Sequence, residues 1–169
     1  MLDEKRIHEA KQNVKLYLQE GLLQKKDSHN KAIEILTKNA TESINEAKKV
    51  TTPLWKIVIS YYAMFYIANA VLVKLGYKVG EKIAHKVTSD ALIVYVTGKL
   101  ATELLEQYEQ VQNEALAGIR ANELIESFDL ERKKRSIFQY TTSEIVMEAK
   151  AKTSLKRAQE FVLEMMKLL

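Results

Sequence analysis

Residues 54–75 read LWKIVISYYAMFYIANAVLVKL, and apolar side chains would occupy almost every face of a helix formed by this segment. A helix that is apolar all round is either a bilayer span or the central helix of a helical domain. Only about a dozen residues separate Lys56 from Asn69, whereas a bilayer core needs roughly 20 uninterrupted apolar residues. The segment therefore predicts a buried central helix at about residues 53–75 and no membrane span.

The composition indicates an all-α protein with one domain. The chain has 169 residues, five glycines and one proline, so it is long enough for one core and poor in residues that break helices. We expect an up-and-down helical bundle over residues 1–169. Cysteine is absent, which excludes disulfides and thiolate chemistry and is typical of a cytoplasmic protein. The N-terminal residues have no secretion-signal pattern.

Helix boundaries can be predicted from apolar residues at helical spacing and from capping residues. We expect the other helices at about residues 3–23, 27–50, 90–96, 100–128 and 141–169. Asp27 or Ser28 is the expected cap of the second helix, and Thr52 that of the central one. The run DALIVYV at 90–96 is rich in β-branched residues, but a lone strand would have no partner. Thr141 and Glu144 have the spacing of a capping box, which predicts the start of the last helix.

One face of the central helix is polar. Tyr62, Tyr66 and Asn69 lie three or four residues apart, so they share this face. Each has a polar atom that needs a hydrogen-bond partner when it is buried. Two interpretations stay open: ordinary core packing with satisfied hydroxyls, or a polar pocket or subunit contact formed by the tyrosine face.

Most familiar catalytic motifs are missing from the sequence. It contains no GxGxxG or GxxxxGK[ST] phosphate loop, no GxSxG nucleophile elbow and no HExxH zinc motif. The three histidines, His8, His29 and His85, are far apart, and none stands in the Glu-x-x-His arrangement of di-iron helical proteins. We therefore expect neither a metal nor a cofactor.

The strongest local signal for ligand binding lies in LERKKRSIFQYTTSE, residues 130–144. Arg132, Lys133, Lys134 and Arg135 are consecutive cations, and Tyr140 follows close to the predicted helix start. Arginine forks match phosphate oxygens, helix N-termini offer oriented N–H groups and aromatic rings stack on unpaired bases. These five residues are the predicted phosphate or RNA site. The alternative is that the cations complement a helix dipole and solubilise a turn.

Several of these features resemble the HEPN family (higher eukaryotes and prokaryotes nucleotide-binding), in particular its small stand-alone prokaryotic members. The resemblance rests on SYYAMF at residues 60–65, Gly76, residues 82–85, and Arg135 followed by Tyr140 in an Arg-x4-Tyr pattern. It covers roughly residues 5–168. The resemblance implies a single HEPN-like helical domain that pairs as a homodimer and binds nucleotides or RNA.

Family members that are ribonucleases carry an arginine followed after four to six residues by histidine, and they cut RNA without metal by using the ribose 2′-OH as nucleophile. In this chain Arg135 stands at the arginine place and Tyr140 at the histidine place. A tyrosine with an ordinary pKa of about 10 is protonated at neutral pH and is a poor general base. Tyr140 therefore favours binding over cleavage, and His85, expected in the loop after the central helix, is the accessory acid or base candidate.

Three functions follow from these patterns. The leading prediction is a nucleotide- or RNA-binding HEPN module, as the partner of a minimal nucleotidyltransferase in a toxin–antitoxin-like pair. The second is a metal-independent endoribonuclease with Arg135 and Tyr140 as its catalytic residues. The third is a protein-interaction bundle without a nucleic-acid role, in which the basic segment is either buried in a subunit contact or paired with carboxylates such as Glu126 and Glu131.

Overall fold

The computed structural model describes the backbone of residues 2–127 and 137–169, and the side chains of residues 2–120 and 147–169. Within these ranges the protein is a bundle of six α-helices with one two-stranded antiparallel sheet. The elements in chain order are α1 (Glu4–Glu20), β1 (Leu23–Lys25), α2 (Asn30–Lys49), α3 (Pro53–Lys74), β2 (Tyr77–Val79), α4 (Ala84–Val96), α5 (Thr102–Ser127) and α6 (Ile137–Met166). The predicted all-α helical bundle is confirmed.

Helix α3 is the centre of the bundle and contacts α2, α4, α5, α6 and β2. Its length and composition would suffice to cross a membrane, and 61% of its most apolar stretch is buried inside the fold. Because the helix has 22 residues, its length alone does not distinguish a membrane span from a core helix. Burial identifies α3 as the predicted core helix.

The start of α1 follows the local sequence, whereas the start of α2 does not. The Asp3 side chain accepts a hydrogen bond of 2.7 Å from the Arg6 amide and caps α1, while Gly21 ends that helix with a φ of 73°. Helix α2 is capped by His29, whose Nδ1 accepts from the Ala32 amide. The prediction of Asp27 or Ser28 as this cap is wrong, because the helix begins at Asn30 and its N-cap is the residue directly before it.

The small sheet joins two connections that the sequence predicted as a helix end and a loop. Leu23 pairs with Val79 and Lys25 with Tyr77, and the Gly80 amide donates to the Leu22 carbonyl oxygen at 2.8 Å. Three-residue strands are too short to show an alternating pattern, and these two are far apart in sequence. The pairing draws the α1–α2 connection against the α3–α4 connection.

Helices α4 and α6 differ in how well their starts were predicted. DALIVYV lies within α4, as predicted, and Asp90 to Ile93 are buried. Helix α6 begins at Ile137, so Thr141 and Glu144 lie inside it and do not form the predicted capping box. Helix α4 starts after Ile83, an exposed β-branched residue with a φ of 45°, which is a strained conformation for such a side chain.

Candidate functional site: a polar cleft between three helices

A polar cleft of about 420 Å³ opens between α1, α4 and α5. Three of its lining residues are cationic and one is a carboxylate, beside a histidine and two side-chain amides. The lining residues are Arg6, Ile83, His85, Lys86, Ser89, Glu109, Gln112, Asn113, Leu116 and Arg120. The cleft combines positive charge with hydrogen-bond donors, which is the chemistry that an anionic ligand requires.

A buried carboxylate fixes one wall of the cleft. Asp90 of α4 is fully buried, and the Tyr17 hydroxyl and the Asn13 amide donate to its Oδ2 at 2.8 and 3.0 Å. Arg6 Nη2 lies 2.7 Å from Oδ1. Burial and the hydrogen bond to Asp90 raise the pKa of Tyr17, so the phenol stays a donor. Because a buried charge is tolerated only when it is paired, these contacts hold α1 against α4.

The same arginine joins α1 to α5. Arg6 donates to Glu109 Oε1 from Nε at 3.1 Å and from Nη2 at 2.6 Å, and the Ser89 hydroxyl donates to the same oxygen at 2.8 Å. Burial opposes the charge of Arg6, but Glu109 and Asp90 outweigh this effect and raise the pKa of the guanidinium. Arg6 is thus a cation held between a carboxylate of α4 and a carboxylate of α5 through its Nε and Nη2 atoms.

His85 lies at the edge of the cleft in the first turn of α4, not in a loop as the sequence predicted. Its Nδ1 is 2.7 Å from the Tyr61 hydroxyl, and the ring centroids of Phe65, Tyr61 and Tyr62 are 4.8, 5.4 and 5.9 Å away. Burial lowers the pKa of His85, so the imidazole is neutral at pH 7. Burial also raises the pKa of Tyr61, so its hydroxyl remains protonated beside the imidazole.

The two other cations of the cleft differ from Arg6 in having no carboxylate partner among residues 2–120 and 147–169. Lys86 and Arg120 are exposed, and within residues 2–120 and 147–169 neither forms an ion pair with a carboxylate. Within this part of the chain, no carboxylate competes with an anion for either charge. Arg120 also lies near the C-terminal end of α5, and the basic residues 132–135 follow this helix in the sequence.

The predicted phosphate site falls mostly on a part of the chain that the structure does not describe. Arg132, Lys133, Lys134 and Arg135 lie outside the described residues. Tyr140 lies in the first turn of α6, where the backbone alone is described. The roles assigned to these five residues stay predictions, and so does the pairing of the segment with Glu126 or Glu131.

Sequence reasoning missed most of the cleft. Glu109, Asn113, Leu116 and Arg120 recur at spacings of three and four along α5, so a search for polar faces as well as apolar ones would have found this wall. Arg6 gave no such signal, since its partner Glu109 is 103 positions away. Only the fold brings these two residues together.

Comparison of the chain with protein-family models, with curated proteins and with solved structures finds no match in any of the three. The resemblance to the HEPN family therefore stays a prediction. Among the residues that the structure describes, no group of three histidine, aspartate or glutamate side chains could hold a metal ion.

Proposed function

We propose that this protein is a nucleotide- or RNA-binding module of the HEPN type, and that its polar cleft holds phosphate groups of the ligand. One observation carries the proposal: Lys86 and Arg120 place two positive charges, unpaired among the residues whose side chains are described, beside a cleft that also offers the exposed amide of Asn113. The basic residues 132–135 follow the helix that forms this wall.

The cations of the cleft have different roles in this proposal. Arg120 offers a planar fork for two phosphate oxygens, and Lys86 offers a compact charge on a flexible stem. Arg6 holds the wall in place, because its Nε and Nη2 atoms contact Glu109 and Asp90. Phosphate contacts of this kind give affinity that falls as the salt concentration rises.

Replacing Lys86 and Arg120 together by alanine should weaken the binding of a labelled single-stranded RNA, measured by fluorescence anisotropy at low salt. The slope of log K against log salt should fall by about 0.7 for each phosphate group that the variant no longer neutralises. A matched control is the double variant Lys152→Ala/Arg157→Ala, which removes one lysine and one arginine from α6. The proposal is wrong if both double variants bind RNA as the wild type does, or if the wild type does not bind.

The proposal extends to partners and location. A homodimer would double the number of cations offered to one RNA strand, and a minimal nucleotidyltransferase-like protein is the proposed partner in a toxin–antitoxin-like pair. Both proposals, and a cytoplasmic location, rest on the resemblance. Co-expression with the product of a neighbouring nucleotidyltransferase gene, followed by size-exclusion chromatography, would test the partnership.

A metal-independent endoribonuclease is the second candidate, and the setting of His85 is the observation that favours it. When Nδ1–H donates to the Tyr61 oxygen, the Nε2 lone pair is left to take a proton from a ligand in the cleft. Burial lowers the pKa of His85, which keeps the imidazole neutral and able to act as a base at pH 7. In this candidate function His85 is the general base, because a tyrosine such as Tyr140 is a poor one.

RNA incubated with the wild type and EDTA should then give products with 2′,3′-cyclic phosphate ends, and His85→Gln should reduce the rate by about 100-fold or more. Glutamine keeps a hydrogen-bonding group near Tyr61 but cannot exchange a proton at neutral pH. His8→Gln, on the exposed side of α1, is the matched control. Intact RNA with the wild type would leave binding as the function.

A further inference from the structure

A second cavity, of about 650 Å³, lies between the first half of α2, the second half of α3, and β2 with the loop that follows it. This volume falls within the roughly 300–1,000 Å³ that is typical of small-molecule sites. Its walls are mainly apolar and aromatic and include Ile35, Phe65, Tyr66, Val73 and Tyr77. It shares no lining residue with the polar cleft, so it is a separate site.

One polar group inside this cavity has a fixed orientation and an unused acceptor. Asn69 lines the cavity, and its amide nitrogen donates to the Phe65 carbonyl oxygen at 2.9 Å and to Thr88 Oγ1 at 3.3 Å. These two hydrogen bonds orient the side chain with its nitrogen toward Phe65 and Thr88. No donor among the residues whose side chains are described bonds to its Oδ1. A fixed carbonyl oxygen on an apolar wall favours a ligand with one hydrogen-bond donor.

The charges at the rim of the cavity cancel. Lys26 and Lys78 are opposed by Asp27 and Glu81, and all four are exposed. His29 stands beside them, with its Nδ1 already engaged in capping α2. A rim without net charge gives an ion no advantage over a neutral molecule, so the electrostatics match an uncharged ligand.

We propose that this cavity binds a flat, uncharged and largely apolar small molecule that donates one hydrogen bond to Asn69 Oδ1. The rings of Phe65, Tyr66 and Tyr77 would contact the apolar part of the ligand, since aromatic side chains pack well against flat molecules. Tyr66 and Asn69 belong to the tyrosine face that the sequence left open between core packing and a polar pocket. The proposal assigns them to a pocket.

The distribution of apolar surface argues for a small molecule and against a protein partner. A stable protein interface covers about 800 Å² on each partner and needs an apolar centre on the surface. Here the apolar groups are inside the cavity, and its rim is charged. Of the five exposed large apolar side chains among the described residues, Ile35 alone lines this cavity.

The test uses N-phenyl-1-naphthylamine, a neutral probe with two flat aromatic ring systems and one N–H donor, whose fluorescence increases in an apolar environment. Titration of the full chain should show saturable binding at one site. Ala32 is half-buried in the cavity wall, so Ala32→Trp should fill the space and weaken binding by about tenfold or more. Ala149→Trp places the same side chain on the exposed face of α6 and should bind the probe as the wild type does.

A second variant tests the hydrogen bond to Asn69. Asn69→Leu should weaken binding of N-phenyl-1-naphthylamine by about tenfold, yet change binding of its N-methyl derivative, which has no donor, much less. Thermal unfolding followed by circular dichroism would establish that each variant is folded. The double variant Lys86→Ala/Arg120→Ala should bind the probe normally, which separates this proposal from the proposed RNA function.

Three results would overturn the proposal. The first is no saturable binding of the probe to the wild type. The second is equal binding by the wild type and the folded Ala32→Trp variant. The third is a wild-type dimer in sedimentation velocity that Ala32→Trp dissociates, because a second copy of the chain would then cover the cavity.

Discussion

Replacing Arg6 with methionine should lower the free energy of unfolding by about 3 kcal/mol, measured by urea unfolding followed by circular dichroism. Methionine keeps most of the apolar stem of arginine and removes its charge. Asp90 would then be a fully buried carboxylate without its cation, and removing one partner of a buried ion pair costs about 3–5 kcal/mol. The lower end of this range applies because the Arg6 side chain is 24% exposed.

A double-mutant cycle separates the ion pair from other effects of the change. Asp90→Asn removes the charge but keeps an oxygen that can accept from Tyr17. In the Arg6→Met background it should therefore restore part of the lost stability, with a coupling energy of about 1 kcal/mol or more. Arg157→Met, on α6 and away from the cleft, should change stability by about 0.5 kcal/mol or less. A stable Arg6→Met variant without coupling to Asp90 would contradict the role assigned to the pair.

Replacing Arg132, Lys133, Lys134 and Arg135 together by alanine should have the largest effect on RNA affinity of any change proposed for this protein. If each cation neutralises one phosphate, the slope of log K against log salt should fall by about 3, at about 0.7 per phosphate on a single strand. Fluorescence anisotropy with a labelled single-stranded RNA, repeated at several salt concentrations, would measure this slope.

The control for this variant must remove the same net charge elsewhere. Lys31, Lys48, Lys150 and Lys152 are exposed, lie on α2 and α6, and do not line the polar cleft. Replacing these four by alanine lowers the formal net charge of +4 by the same amount. Equal loss of RNA affinity in the two quadruple variants would mean that net charge alone attracts RNA and that the basic segment has no specific role.

The sequence predicted the bundle well because its helices carry strong local signals. The apolar residues of α3 recur on all its faces, and Pro53 and Gly76 lie close to its two ends. The short strands were missed, since their pairing depends on residues more than 50 positions apart, such as Leu23 and Val79. The cap of α2 was placed wrongly because His29 is a less common capping residue than the aspartate and serine just before it.

Of the residues that line the polar cleft, the sequence pointed to His85 alone. The four cations Arg132–Arg135 are consecutive, so the sequence alone shows that they form a basic segment. The polar cleft, in contrast, is formed by residues from three helices. Lys86 has no local feature that separates it from other surface cations, and Arg120 is marked only by its place on the polar face of α5. His85 was identified as a candidate, but its contact with Tyr61 depends on the packing of α4 against α3, which no spacing in the sequence shows.

The most direct test of the cleft as a phosphate site is the pKa of His85 measured by NMR, with and without a single-stranded 2′-O-methyl RNA that cannot be cleaved through its 2′-OH. Burial lowers this pKa in the free protein, and a phosphate beside the imidazole should raise it because the charged form is then stabilised. His8 and His29 lie outside the cleft and serve as internal references. We predict an increase at His85 alone; bound RNA that leaves the pKa of His85 unchanged, or shifts all three histidines equally, would contradict the proposal.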